Sequence, residues 1–206
     1  MTSPENSLSR WQVLNIAWPI ILSNLSTPLL GLVDTAVIGN WGEASLIGAI
    51  ALGGIIFRFL YWGFGFLRMG TTALVAQAIG AQRPGQSRAS FYRAFILGSL
   101  IGCLLLILQS PILDFALSLL DGSREVESSA RRYFEIRIWV APISLAYLAI
   151  MGLLLGHGET KLLLLLQLIL NCTNIVLDII FVVFLQMGVE GVALATVIAE
   201  VLAFCA

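Results

Sequence analysis

Charge is scarce in this chain. Only 11% of its 206 residues are charged while 59% are hydrophobic, against about a quarter charged in ordinary soluble domains. With a mean hydropathy of +0.96, that scarcity excludes a water-soluble globular fold and implies an integral membrane protein. A basic excess is also absent. Eleven Lys and Arg stand against twelve Asp and Glu for a net charge of -1, which leaves no cationic surface for nucleic acid. Cysteine is limited to Cys103, Cys172 and Cys205, each inside an apolar run and without CxxC or Cys/His spacing. That argues against a disulfide framework or a metal site and leaves them as small packing residues. The lone His157 falls in a polar connection and reads as solvated. Linkers, low-complexity tracts and internal repeats are lacking, so the chain reads as one helical domain.

Long apolar runs are what the chain does have. Helices are expected at about 11–38, 45–81, 90–108, 128–155, 162–185 and 189–206. Each of the first five reaches the ~20 residues needed to cross a ~30 Å hydrocarbon core. The fold class is therefore an all-α polytopic membrane protein, a six-helix bundle with the lipid bilayer around it. The first run is too long for a signal peptide, carries Asp34 and lacks a small-residue cleavage site after a basic segment, so the amino terminus is expected to stay attached. Arg10, then Arg83, Arg88 and Arg93 around "AQRPGQSR", then Lys161 fall on one side of the membrane. Glu43, "LDGSREVE" and Glu190 fall on the other. Arg124 is the one basic residue clearly among the second set, with Arg131 and Arg132 close to it. This asymmetry places the amino terminus in the cytoplasm.

Depth can then be assigned to the buried polar groups. The first and fifth helices run in one direction and the fourth and sixth in the other. Asp34 and Asp178 near the carboxyl ends of the first pair therefore lie level with Tyr133 and Thr196 near the amino ends of the second. At 1.5 Å per residue all four sit about 7 to 12 Å below the outer boundary. On the fifth helix Asn171, Asn174 and Asp178 stand at i, i+3 and i+7, one face of a segment otherwise rich in Leu, Ile and Val. A carboxylate at mid-helix costs roughly 2.5 to 3.5 kcal/mol on insertion scales. Static interhelical bonds worth about 1 kcal/mol each would be made more cheaply by neutral side chains. The residue types point instead to a titratable site, because carboxylates out of water hold protons readily and release them to an entering cation or to water. Carboxylate, amide and hydroxyl oxygens equally suit a hard cation such as sodium.

"GLVDTAVIG", "GFLRMGTTALVAQAIGA" and "NIVLDIIFVVFLQMGVEGVALATVIAE" resemble the amino-terminal lobe of the MATE (multidrug and toxic compound extrusion) transporters, in particular their DinF-like bacterial branch. The resemblance runs from about Trp11 to the last residue and keeps order and spacing across five connections. It implies one six-helix lobe of a twelve-helix transporter in a bacterial inner membrane. The implied activity is the export of organic cations and other amphipathic compounds by alternating access, in exchange for protons or sodium and with no other cofactor. Residue by residue, it implies that Asp34 and Asp178 are the cation-coupling carboxylates, with Asn174, Thr196 and Tyr133 completing their network and Asn171 beside it. A sodium ion would sit at Asp34, Asp178, Asn174 and Thr196. The second, carboxyl-terminal lobe is missing from the chain. Because "EVLAFCA" shows no capping or charged stop, the expectation is that the chain is a fragment.

Other features carry less. Pro19 and Pro28 in the first helix and Pro142 in the fourth remove backbone hydrogen bonds and create kinks or hinges, and in the family a bend of the first helix accompanies protonation. Arg58 and Arg68 are costly against lipid, although Arg68 can snorkel. Glu135 and Arg137 face different sides of their helix, and Glu200 either extends the polar face of the sixth helix or ends it. Two competing readings use the same aspartates. An intramembrane aspartyl protease would carry Gly-x-Gly-Asp where this sequence has "GLVD", and a non-transporting scaffold would gain nothing from an aligned polar layer.

Overall fold

The computed structural model describes residues 10–41, 44–120 and 122–206. They form α1 (Arg10–Trp41), α2 (Ala44–Trp62), α3 (Phe66–Gly80), α4 (Pro84–Ile107), α5 (Gln109–Leu120), α6 (Arg124–Arg137), α7 (Ala141–His157), α8 (Thr160–Asp178) and α9 (Gly188–Cys205). No strand occurs among the described residues. That is the physical answer to a bilayer, where every backbone group must be satisfied within its own segment.

Several of these helices join end to end. The α2–α3 pair forms one apolar rod over Leu46–Gly80, and α6 and α7 form another over Arg124–His157. The α8 helix continues through a π-helical turn to give Thr160–Phe184. With Pro84–Ile107 and Gly188–Cys205, five segments among the described residues are long and apolar enough to cross a membrane. At 32 residues, α1 also exceeds the ~20 required.

Breaks within the rods have local causes. Between α2 and α3, in "WGFGF", the amides of Phe64 and Gly65 donate to the carbonyls of Tyr61 and Trp62 at 3.0 and 3.1 Å, a tightened turn that re-aims the rod. Between α6 and α7 a 3-10 turn over Ile138–Val140 precedes Pro142, which has no amide to continue the α-helical ladder. Hydropathy starts the third helix at 90, yet α4 begins at Pro84, because proline is pre-organised for the first helical turn. The connection that follows holds a helix of its own, α5, whose Leu113 and Leu117 are buried. At 12 residues it is too short to cross a ~30 Å core, so a reading for membrane-length apolar runs passes over it.

Close backbone approach builds one half of the bundle. A methyl group on Gly98 of α4 would lie 2.7 Å from the Leu145 carbonyl oxygen of α7, and one on Gly102 would run into the backbone of Pro142. On α7, a methyl at Gly152 would lie 2.7 Å from the Arg68 carbonyl oxygen of α3, and one at Gly156 would lie 2.6 Å from the Val75 side chain. Both pairs are small-xxx-small spacings, which draw helices together in lipid, where apolar burial alone gives no preference for protein over acyl chain.

Cys103, Cys172 and Cys205 are exposed and free, which corrects their reading as packing residues. Apolar surroundings in the sequence do not distinguish a face toward lipid from a face toward protein. Arg58 is exposed on α2 and Arg68 is half-buried on α3. His157 is exposed at the end of α7, where with Arg83, Arg88 and Tyr92 it lines an open cavity of ≈ 620 Å³.

Candidate functional site

Buried polarity gathers on α8. Gln167, Asn171, Asn174 and Asp178 are all buried, the last two with 0% exposure, and they fall on one face of an otherwise apolar helix. Asn171 Oδ1 accepts from Gln167 Nε2 at 3.2 Å. Asn174 Nδ2 donates across the seam to Thr196 Oγ1 of α9 at 3.3 Å, and the Thr196 hydroxyl donates to the Val192 carbonyl at 3.0 Å. Together these side chains make a buried polar seam between α8 and α9.

Directly after Asp178 the helix widens. The π-helical turn covers Ile179–Phe184, with the Leu185 amide reaching back to the Ile180 carbonyl at 3.0 Å. Such turns insert extra backbone and recur at functional sites. Here the turn rotates Val182 into the core, at 5% exposure, while Ile179 stays exposed and Val183 is half-buried.

Tyr133 on α6 is 1% exposed. A methyl on Gly53 of α2 would lie 2.5 Å from Tyr133 Cδ1, so this glycine makes the slot in which the ring lies. Tyr133 Oη accepts from Arg137 Nη1 at 2.7 Å. Pro19 of α1 is buried and its carbonyl accepts from the buried Ser23 hydroxyl at 2.8 Å. The side chains of Asp34 and Pro28 lie outside the described residues, although α1 runs as helix through both positions.

Two elements of this region were not singled out as site residues from sequence. Gln167 extends the α8 face by another turn, and its i, i+4 spacing to Asn171 is the signal for it. Arg137 and Glu200 form an ion pair, with Arg137 Nη2 3.8 Å from Glu200 Oε1, and Ser144 Oγ donates to Glu200 Oε2. Each partner stands one turn beyond a site residue, Arg137 after Tyr133 and Glu200 after Thr196, which is the pattern that could have joined them.

The same arrangement of helices is found in known proteins. The pattern of the MatE family matches residues 19–180. The DNA damage-inducible protein F of Escherichia coli (strain K12) is 44% identical over 200 residues, covering 97% of this chain and 42% of that protein. The probable multidrug resistance protein NorM of Thermotoga maritima is 28% identical over 199 residues, covering 93% of this chain and 42% of the relative. Among solved structures, a MOP superfamily transporter from Pyrococcus furiosus superposes with a TM-score of 0.86 at 23% identity, over 94% of this chain and 42% of that one. The chain thus spans about two-fifths of the length of the curated relatives it matches. A family pattern that runs from α1 into the π-helical turn of α8, together with 44% identity across nearly every described helix, leads to one conclusion: the chain belongs to the MatE family, whose members are multi-pass membrane transporters.

Proposed function

We propose that this chain is the amino-terminal lobe of a cation-coupled exporter of organic cations or other amphipathic compounds, seated in a bacterial inner membrane with its amino terminus in the cytoplasm. A second six-helix lobe completes the transporter, and the two rock against each other around a central site. The observation that carries this reading is the complete burial of Asp178 and Asn174 in an apolar helix, with Asn174 tied to Thr196 across the α8–α9 seam. A carboxylate in that position opposes insertion by roughly 2.5 to 3.5 kcal/mol, and a purely structural contact gains no more from Asp than from a neutral side chain. Membership of a transporter family favours transport over the protease and scaffold alternatives.

In this mechanism Asp34 and Asp178 share the coupling ion, proton or sodium, while Asn174 and Thr196 supply neutral oxygens and Tyr133 supplies a hydroxyl. With the ion bound the layer is neutralised, and α1 bends at Pro19 or Pro28. Without it the charge demands water, and the lobe opens. The two shapes differ in ion affinity, and that difference couples the gradient to the movement.

The test reconstitutes a complete transporter carrying this lobe into vesicles and drives export with a pH gradient and, separately, a sodium gradient. Asp178→Asn and Asp34→Asn are each expected to abolish coupled export while the protein still inserts. Export at the parental rate by either variant overturns the coupling role of that aspartate. Spin-label distances across Pro19 and Pro28 that do not respond to the coupling ion overturn the bend.

A further inference from the structure

We infer that the cavity at the end of the bundle where α3 passes into α4 is a binding site for the phosphate group of an anionic phospholipid. It shares no residue with the α8–α9 seam and does not rest on the coupling role proposed for Asp34 and Asp178.

Positive charge collects there without an answer. Arg83 and Arg88 at the start of α4 and His157 at the end of α7 line a space of ≈ 620 Å³, and no carboxylate is part of its wall. None of the three makes an ion pair among the described residues. Glu159, two residues from His157, is exposed and stands outside the wall. On α6 the arrangement is the reverse. Arg131 meets Asp114 at 2.6 Å and Arg132 meets Glu190 at 3.4 Å, so those arginines carry their own counter-charges. Two guanidinium groups held around one cavity repel each other until an anion enters between them, and their planar forks match the oxygens of a phosphate.

Neutral donors face the same space. The helix α4 is 24 residues long, has no side-chain cap at Arg83 and carries no acidic residue in its first turn. The partial positive charge at its amino end is therefore uncompensated. Ser87, in that first turn, lines the cavity and is only 4% exposed. Its hydroxyl bonds no described residue, whereas those of Thr71 and Ser99 donate to the carbonyl one turn earlier, at 2.6 and 2.9 Å. Buried hydroxyls are normally satisfied, so a ligand oxygen supplies what the protein does not.

The walls are fixed before any ligand arrives. The amides of Ala81, Gln82 and Arg83 donate to the carbonyls of Gln77, Ile79 and Ala78 at 2.9, 2.9 and 2.8 Å, which locks Arg83 against the end of α3. Gly156 brings the end of α7 onto Val75 of α3, and Gly158 closes that helix in the left-handed conformation at a φ of 76°. A preformed site spends little of its binding energy on ordering.

Lipid, rather than phosphate free in water, fits the surroundings. The cavity lies at the end of the membrane-length segment Pro84–Ile107, where headgroups lie. Tyr92 forms part of its wall, and Tyr92, Ile96 and Leu100 are exposed large side chains at i, i+4 and i+8 of α4, a single strip along one helix face. A tyrosine at headgroup level above an apolar strip meets the parts of a phospholipid in their own order, phosphate first and acyl chain below. Basic pockets between membrane helices hold anionic headgroups in this way.

The experiment purifies a complete transporter carrying this lobe in detergent and titrates it with dioleoyl phosphatidylglycerol, counting bound lipid by native mass spectrometry. Dioleoyl phosphatidylcholine and inorganic phosphate are the comparison ligands. Phosphatidylglycerol is expected to bind more tightly than phosphatidylcholine. Arg83→Gln and Arg88→Gln should each weaken it about fivefold, and Ser87→Ala, which alters no charge, about threefold. Arg93→Gln removes an exposed cation of the same helix from outside the wall and should leave the affinity unchanged. Equal binding of the two lipids by the parent overturns the inference. So does a loss in Arg93→Gln as large as in Arg88→Gln, which would mean diffuse attraction to the surface. Displacement of the lipid by an equal concentration of inorganic phosphate overturns the assignment to a lipid. If an arginine variant does not fold, Ser87→Ala and His157→Gln decide, because parental affinity in both leaves the cavity without a role. Asp178→Asn should bind phosphatidylglycerol like the parent, so failure of this site and failure of ion coupling are read separately.

Discussion

Where α4 crosses α7, Gly98 and Gly102 bring the helices together backbone to backbone, and Gly152 and Gly156 do the same for α7 against α3. Where α8 meets α9, the seam is made by an amide and a hydroxyl, Asn174 on Thr196, with Asp178 fully buried beside them. Both regions hold helices together without help from apolar burial, which is nearly neutral in lipid. The first does so with groups that cost nothing to insert and have only a shape to offer. The second carries groups that oppose insertion and have hydrogen bonds to offer as well as shape. Tyr133 lies at the meeting of the two styles, a polar group held in a slot made by a glycine.

Substitutions can break or sharpen that contrast. The largest effect is expected for Gly102→Leu, because even one added carbon meets the Pro142 backbone. The α4–α7 crossing should then be lost at a cost of roughly 3 kcal/mol or more, read as loss of monodisperse protein in thermal unfolding with fluorescence-detected size exclusion. Folding like the parent would show that close approach does not hold this half together.

Gly53→Ala should come next, at about 1–3 kcal/mol, since the new carbon lies 2.5 Å from the Tyr133 ring. Gly54→Ala, with nothing within 4 Å, serves as its control. A melting temperature lowered equally by both would show that the slot under Tyr133 is not the cause.

Thr196→Val removes the partner of Asn174 at nearly constant volume. It should cost only about 1 kcal/mol of stability and yet strongly reduce ion-driven export by a complete transporter. Parental export with a lowered melting temperature would make the polar seam as purely structural as the glycine seam.

The smallest effect is expected for Glu190→Gln. It breaks the exposed pair with Arg132, 3.4 Å apart, and should change the melting temperature by less than about 0.5 kcal/mol equivalent, vanishing at high salt. A larger loss that survives salt would place this exposed pair among the structural contacts.

Depth and azimuth explain which features were legible. The stripe of Asn171, Asn174 and Asp178 could be read directly, because polar side chains at i, i+3 and i+7 share a face, and that face is buried. Arg137 and Glu200 could each be seen, but their union could not, since it depends on how α6 and α9 are rotated toward each other. The cysteines were misplaced for the same reason. The helix α5 escaped notice because, at 12 residues, it falls short of a membrane-spanning run.

By itself the sequence determined the membrane setting, the all-helical class and the approximate spans. A bilayer permits long apolar runs no other regular form, and a fixed rise per residue converts a run's length into the thickness it can span. Only the tertiary structure decided which faces meet. It brought glycine against backbone in one half, joined Asn174 to Thr196 and Arg137 to Tyr133 and Glu200 in the other, and opened the π-helical turn after Asp178. The physical reason is that a face toward lipid and a face toward protein are equally apolar in sequence, and packing alone distinguishes them.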